Sequence, residues 1–168
     1  MRVLLALLFA TPLLAQPARP CETEAAAGLD FWVGTWDLAW ETADGATQTG
    51  TNTITRGQGG CVIHERFAAE AGFAGESWSV LTPAGWRQTW VDNAGGYLLF
   101  TGATDAEGRV AEMRQATSAN PAGQQQTNRM IWEDVTADSL VWRWQASLDG
   151  GETWADRWVI RYTRAEGD

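Results

Sequence analysis

Most tryptophans of this chain occur in pairs separated by an even number of residues. There are eleven in 168 residues, and four pairs lie within short segments: Trp36 and Trp40, Trp86 and Trp90, Trp142 and Trp144, Trp154 and Trp158. Because successive residues of a β-strand point to opposite faces, each pair lies on one face of its strand. A protein in solution does not normally expose that many large rings in stripes. We therefore expect most of the tryptophans to point into the interior of a β-structure.

Segments of this kind recur along the chain and are separated by residues that favour turns. The first candidate strand covers residues 35–41 and the last covers residues 154–164. One of those between covers residues 109–117, followed by a polar loop at 118–123. Counting gives ten strands at nearly regular spacing, which is typical of an up-and-down barrel or a sandwich.

A closed barrel is the favoured of these two folds. Ten short strands in a meander can pair the last strand with the first, so that no edge stays exposed. Before the strands, the run Ala25-Ala26-Ala27 followed by Gly28 predicts a helical turn. The predicted fold is therefore all-β, a roughly ten-stranded antiparallel up-and-down barrel with a short N-terminal helical turn.

The first fifteen residues have the layout of a secretory signal peptide. Arg2 supplies a positive charge, residues 3–10 form an apolar run, and Ala15 is a small residue at the expected cleavage point. The run is shorter than the ~20 residues that cross a bilayer, so no membrane span is expected. We expect a signal peptide at 1–15, an N-terminal segment at 16–30 and a β-barrel domain at 31–168. The expected location is the periplasm or the outside of the cell.

The charged residues limit the partners and the chemistry. A formal net charge of −9 disfavours binding to nucleic acid. All basic residues are arginine, which excludes a lysine nucleophile or Schiff base. Arg66, Arg87, Arg143 and Arg157 lie in predicted strands, where each either holds a carboxylate in a cavity or faces water. For Arg87 and Arg143, a parity opposite to that of the neighbouring tryptophans favours the outward orientation.

Cys21 and Cys61 are the two cysteines of the chain. In an exported protein such a pair indicates one disulfide, with two free thiols as the alternative. A disulfide closing a loop of this length stabilises a protein by roughly 4 kcal/mol on the chain-entropy model. Two cysteines and a single histidine make a structural zinc site improbable, and no metal is expected.

Gly34 and Trp36 have the G-x-W spacing on the first strand. This motif resembles the one that opens lipocalins and related calycins. The resemblance implies structural roles: the tryptophan closes one end of the barrel, and an arginine near the end of the last strand packs over it. Arg161 and Arg164 are the two candidates. By alternation Arg164 shares the face of Trp158, so it is the better partner.

Further pieces extend the resemblance over nearly the whole chain after the signal peptide. Residues 31–36 (FWVGTW), 59–65 (GGCVIHE), 86–92 (WRQTWVD) and 149–154 (DGGETW) resemble an uncharacterised bacterial family of exported lipocalin-like proteins. That resemblance implies a calycin-type β-barrel and carries no activity with it.

Residues 147–154 also fit the S-x-D-x-G-x-T-W pattern of the Asp-box, a motif known from sialidase propellers. In that motif the aspartate ties a hairpin turn through backbone hydrogen bonds and the tryptophan packs beneath it. We therefore expect structural roles for Asp149 and Trp154 in a last hairpin. A propeller needs repeated blades, and one copy of the motif excludes the sialidase interpretation.

Candidate chemistry rests on very few residues. His64 is the single histidine, and it is either a strand histidine bonded to a neighbour or a haem ligand as in nitrobindin-like barrels. Glu65 and Glu76 are candidates for acid–base work if they are buried; otherwise they face solvent. The pattern G-x-S-x-G is absent, so nothing in the spacing indicates a serine nucleophile.

The function predicted from these patterns is non-enzymatic binding of a small hydrophobic or aromatic ligand inside the barrel, without a cofactor. The expected contacts are five aromatic walls and one polar group: Trp40, Trp78, Trp90, Trp142, Trp144 and Gln88. Gln88 is the polar candidate because it shares the face of two of the predicted inward tryptophans. Four alternatives stay open: rings that fill the barrel completely, a haem or nitric-oxide-binding barrel that uses His64, a lipocalin-like isomerase or hydrolase that uses a buried carboxylate, and a structural or partner-binding module.

Overall fold

A computed structural model describes residues 21–167. Two short 3₁₀ helices precede the strands, at Glu24–Ala27 and Asp30–Trp32, and a third lies between the second and third strands at Gln58–Gly60. The strands are β1 Gly34–Glu41, β2 Thr47–Gly57, β3 Val62–Ala69, β4 Ala74–Thr82, β5 Gly85–Asp92, β6 Tyr97–Ala103, β7 Glu112–Arg114, β8 Ser118–Ala119, β9 Gln125–Glu133, β10 Ser139–Ser147 and β11 Ala155–Arg164. The predicted signal peptide at 1–15 lies outside the described residues.

The strands form a closed antiparallel barrel. Neighbours in sequence pair along the meander, and the ring closes where β11 pairs with β1, for example Trp36 with Arg164 and Leu38 with Tyr162. β9 pairs with both β7 and β10, so ten strands make the ring, and the two-residue β8 adds to the start of β9. The predicted all-β, ten-stranded up-and-down barrel is confirmed.

Side chains alternate between the interior and the outside, as the tryptophan spacing predicts. Trp36 and Leu38 on β1 are buried while Asp37 between them is exposed. Nine tryptophans belong to the barrel interior or its closed end: Trp32, Trp36, Trp40, Trp86, Trp90, Trp132, Trp142, Trp144 and Trp158. Removal of these rings from water is the main force that holds the barrel together.

The N-terminal segment closes one end of the barrel. Trp36 is fully buried, and its indole Nε1 donates to the Trp32 carbonyl at 2.8 Å. The Arg164 guanidinium lies 3.7 Å above the Trp36 ring, and its Nη1 donates to the Val33 carbonyl at 2.8 Å. Gly34 has a φ of +135°, a conformation that glycine adopts without the strain of a side chain. Arg164 thus covers Trp36, whereas Arg161 is exposed.

The strand predicted at 109–117 is much shorter in the structure. β7 has three residues, and β8 lies in the segment that the sequence indicates to be a loop. The reason is Val110, which is buried and whose backbone N–H donates to the Gly28 carbonyl at 2.8 Å. Val110 is therefore bonded to the N-terminal segment, and pairing with β9 begins only at the next residue, Ala111, whose carbonyl accepts from the Trp132 N–H at 3.2 Å.

Trp154 does not share the face of Trp158, contrary to the parity prediction. Trp144 pairs with Trp158, but Gln145 pairs with Asp156, so Arg157 is an extra residue on β11. Because of this extra residue, the side chains that precede the bulge point to the face of the sheet opposite to the one that simple alternation predicts. Trp154 accordingly lies on the outside, where the Arg129 guanidinium sits 4.0 Å above its ring.

The hairpin between β10 and β11 is tied by the side chain of Asp149. This carboxylate accepts from the Thr153 backbone N–H at 3.0 Å and from the Thr153 hydroxyl. The hydroxyl of Ser147 donates to it at 2.7 Å. These hydrogen bonds, that of the Thr153 hydroxyl above all, hold the pKa of Asp149 well below its ordinary value. The Trp154 indole N–H donates to the Gly151 carbonyl at 3.1 Å, so aspartate and tryptophan both stabilise the turn.

A disulfide joins Cys21 to Cys61. It ties the segment before the first 3₁₀ helix to the start of β3, next to the closed end of the barrel. Among the residues that the structure describes, no helix is long and apolar enough to cross a membrane.

Candidate functional site

The barrel holds a cavity of about 200 Å³ in its interior. It lies between the closed end and the hairpin turns at the opposite end of the strands, of which 93–96 is one. Fifteen residues line it, from the N-terminal segment, from β3, β5, β6, β9, β10 and β11, and from the turn between β3 and β4. The side chains of the barrel therefore do not fill it completely.

Aromatic rings make up most of the wall. Nine of the lining residues are aromatic: Trp32, Phe67, Phe73, Trp90, Phe100, Trp142, Trp144, Trp158 and Tyr162. The Trp142 and Trp144 rings are parallel, with centroids 6.4 Å apart. Trp158 stands perpendicular to Trp142 at 5.9 Å. The cavity thus presents both faces and edges of indole rings to an occupant.

A buried carboxyl group interrupts this aromatic wall. Glu65 on β3 is 7% exposed; its Oε2 accepts from the Ser77 hydroxyl at 2.6 Å and its Oε1 from Asn52 Nδ2 at 2.8 Å. The same Nδ2 donates to the Tyr162 hydroxyl at 3.0 Å. Burial raises the pKa of Glu65, and the hydrogen bonds from Ser77 and Asn52 act against that rise. Within residues 21–167 no arginine or histidine forms an ion pair with it.

Two further polar side chains line the cavity from β5. Gln88 is 3% exposed, and its Nε2 donates to the Ser79 hydroxyl at 3.0 Å. No described residue donates to its Oε1. Asp92 lies at the turn end of β5 and accepts from Trp90 Nε1 at 2.9 Å and from the Gly96 N–H at 2.8 Å. These bonds, the one from Trp90 first, lower the pKa of Asp92, so this carboxylate is charged at neutral pH.

Four of the six residues proposed from the sequence as ligand contacts lie together around the cavity: Gln88, Trp90, Trp142 and Trp144. Trp40 does not reach it. Trp40 points inward but packs edge-on against Trp158 at 5.3 Å, and it lines a separate hollow of about 460 Å³ between the end of β1 and the first part of β11. Trp158 therefore separates the two spaces.

Trp78 lies on the outer surface of the barrel, contrary to the prediction that it forms a cavity wall. It is 42% exposed, because Ser77 and Ser79 on either side of it are the inward residues of β4. Its ring stacks on the His64 ring with centroids 5.0 Å apart. Trp78 is the one tryptophan of β4, so no second tryptophan indicates by its spacing which face of this strand points inward.

His64 also lies outside, where its Nε2 is 2.9 Å from Glu76 Oε2. Neither side chain lines the cavity, so His64 is not placed to bind haem there and Glu76 is not placed for acid–base work there. Glu65 is the candidate acid that the fold buries. Among residues 21–167, no three His, Cys, Asp or Glu side chains come together as a metal site requires.

The sequence reasoning missed several contacts of the cavity. Phe67, Trp158 and Tyr162 are examples. Phe67 has the same parity as Glu65, and Trp158 and Tyr162 share one face of the last strand. Once one inward residue of a strand is known, alternation identifies the other inward residues of that strand, and this signal could have found these contacts.

Comparison with known proteins shows no family. A scan against family models and a search of curated proteins both find no match. Solved structures that match include a de novo designed fluorescence-activating β-barrel (16% identity, 83% of this chain and 97% of that chain covered, TM-score 0.42). A redesigned β-barrel (11%, 83% and 96%, TM-score 0.42) and EF1p2_mFAP2b bound to DFHBI (10%, 85% and 100%, TM-score 0.40) are others. A ligand for this chain has to be inferred from its own side chains.

Proposed function

We propose that this protein is an exported, non-enzymatic barrel that holds one small aromatic or hydrophobic molecule in its interior. The observation that carries the proposal is the cavity itself, about 200 Å³ and lined mainly by aromatic rings. Ligand sites are typically apolar and aromatic with a few polar groups that orient the occupant. Glu65, Gln88 and Asp92 are such groups here.

The volume indicates the size of the ligand. Sites for drug-sized molecules usually measure ~300–1,000 Å³, and an apolar cavity of ~150 Å³ in another protein takes up benzene. A space of about 200 Å³ therefore suits one aromatic ring with a short substituent. Larger ligands such as haem require a rearrangement of the barrel.

The lipocalin-like interpretation is part of the proposal. It is supported by the G-x-W motif together with Arg164, which covers the Trp36 ring at 3.7 Å. Export is supported by the Cys21–Cys61 disulfide, because disulfides persist in oxidising compartments. N-terminal sequencing of the protein secreted from the native host tests export, and an intact residue 1 in a cytosolic fraction would contradict it.

Two substitutions on adjacent residues of β6 test binding. Leu98 lines the cavity, whereas Leu99 is 55% exposed on the outer face. Leu98→Trp is expected to fill the cavity and abolish uptake of small aromatic molecules, and Leu99→Trp adds the same ring without effect. Native mass spectrometry of the purified protein and saturation-transfer NMR with benzyl alcohol measure uptake. Equal uptake by both variants would contradict the proposal.

Glu65 supports a second candidate function, proton transfer to or from a bound carbonyl compound. The carboxyl group is buried in the cavity, and a raised pKa suits a general acid or base near neutral pH. Exchange of the methyl protons of acetophenone in D₂O, followed by NMR, tests this. Catalysed exchange that is lost in Glu65→Gln would favour an enzyme, and background exchange in wild-type protein would favour pure binding.

A further inference from the structure

Among the described residues, the cavity is lined by two acidic side chains and by no basic one. Glu65 and Asp92 are both among its lining residues, and none of the fifteen is an arginine or a histidine. The strand arginines that were candidates for the interior form ion pairs outside the cavity or are exposed to solvent. Arg143, for example, pairs with Glu133 and Asp156 on the outside. An anionic occupant therefore meets two carboxylates and no cation.

Glu65 is a buried acid that has no ion-pair partner among residues 21–167. Its partners among the described residues are neutral, the Ser77 hydroxyl and the Asn52 amide. Buried charges in proteins are normally paired, because an isolated one is strongly destabilised in a medium of low dielectric. Burial accordingly raises the pKa of Glu65. A cation beside the Glu65 carboxylate would stabilise its charged form.

The surrounding rings attract a cation as well. The face of an indole carries negative quadrupolar charge and attracts ammonium and guanidinium groups, more strongly when they are desolvated. Five tryptophans line the cavity. Gln88 also lines the cavity, and this residue is 97% buried, since it is 3% exposed. No described residue donates to its Oε1, so a donor on the ligand would satisfy that acceptor.

We propose that the occupant of the cavity is a small organic cation, an ammonium that carries one aromatic ring or a compact alkyl group. The rings enclose its apolar part, and Glu65 and Gln88 accept hydrogen bonds from its ammonium group. This inference rests on the proposed function, because it names the class of ligand for the same cavity. The acidic protein as a whole favours the approach of such a ligand.

Three molecules of nearly equal size and different charge test the inference: benzylammonium, benzyl alcohol and benzoate. We expect wild-type protein to bind benzylammonium about tenfold more tightly than benzyl alcohol, as one charge-assisted hydrogen bond implies, and benzoate most weakly. In Glu65→Gln the preference for the cation should disappear while benzyl alcohol still binds. Glu76→Gln is the matched control, since Glu76 is 42% exposed on the outer face, and it should keep the preference.

The pH dependence gives a readout that needs no variant. The groups facing Glu65 from β2, β4 and β11 are Asn52, Ser77 and Tyr162. His64 beside it on β3 points outside, and its Coulombic effect lowers the pKa of Glu65 less than the two hydrogen bonds do. Tyr162 stays neutral because burial raises its pKa. Affinity for benzylammonium should therefore rise with pH as Glu65 loses its proton, while that for benzyl alcohol stays constant.

The outcomes distinguish a failure of this inference from a failure of the proposed function. Tighter binding of the cation, lost in Glu65→Gln and kept in Glu76→Gln, supports the inference. Equal binding of the three molecules, or tighter binding of benzoate, overturns it and leaves the proposed function intact. If wild-type protein binds none of them, the proposed function fails and the inference with it. Should Glu65→Gln not fold, the wild-type charge series and pH profile still decide.

Discussion

Gly75 on β4 is the position where one added carbon atom should reshape the cavity. A Cβ there would lie 2.6 Å from Cη2 and 2.8 Å from Cε2 of the Trp90 ring. Real carbon atoms do not approach so closely, so Gly75→Ala has to displace the ring. On its other side Trp90 borders the cavity, and its Nε1 donates to Asp92. We therefore expect the ring to move into the cavity and to strain that hydrogen bond.

The magnitude follows from comparison with a glycine that has free space. A Cβ at Gly57 would contact nothing within 4 Å, and Gly57 has a φ of −117°, which alanine adopts freely. Both substitutions restrict the unfolded chain equally, a gain of ~0.4–1 kcal/mol in stability. Gly75→Ala adds overpacking, which destabilises by about 1–3 kcal/mol. The difference between the two variants should thus be about 1–3 kcal/mol.

Urea denaturation followed by tryptophan fluorescence measures this difference. With a slope of ~2 kcal/mol per molar urea, the midpoint of Gly75→Ala should lie about 0.5–1.5 M below that of Gly57→Ala. Uptake of benzyl alcohol should also weaken in Gly75→Ala alone. Equal midpoints for the two variants would refute the reasoning, because they would mean that Trp90 is not packed against Gly75.

Three further predictions concern the elements that hold the barrel together. Reduction of the Cys21–Cys61 disulfide should lower the free energy of unfolding by roughly 4 kcal/mol, whereas the double serine variant should be insensitive to reductant; a redox-independent wild-type transition would contradict this. Arg164→Ala should destabilise the fold by about 1–3 kcal/mol, because it removes the cover of Trp36 and the hydrogen bond to the Val33 carbonyl. Arg161→Ala, at an exposed residue, should change urea stability by less than ~0.5 kcal/mol, and similar losses in both would disprove the assignment. Asp149→Asn should lower the Tm at neutral pH. The pKa of Asp149 in the folded state is lowered from 3.8. The stability that its carboxylate contributes is therefore complete above pH 3.8, the unfolded-state value, and is lost as the pH falls through the lower, folded-state pKa. A Tm difference between wild-type protein and Asp149→Asn that persists in stronger acid would contradict this.

The barrel and its ends followed from local patterns. Strand alternation is a property of the backbone, so tryptophans at even spacing indicated one apolar face for β1, β5 and β10 before any contact was known. The closed end was implied by the resemblance of the G-x-W motif to that of lipocalins, and alternation then favoured Arg164 as the partner of Trp36. The last hairpin followed from the Asp-box, because the bonds of Asp149 reach only as far as Ser147 and Thr153.

The tertiary structure decided what depends on residues distant in the chain. A single extra residue, Arg157, shifts the register of β11 against β10 and turns Trp154 outward, and nothing in the local sequence marks that shift. The same holds for the shortening of the strand at 109–117, where a hydrogen bond to Gly28 competes with strand pairing. The burial of Glu65 and the exposure of Glu76 are set by the pairing of β3 with β2 and β4, not by the residues themselves. Sequence thus determined which residues alternate, and only the closed sheet determined which of them meet, because contacts across a barrel depend on a register that one bulge can change.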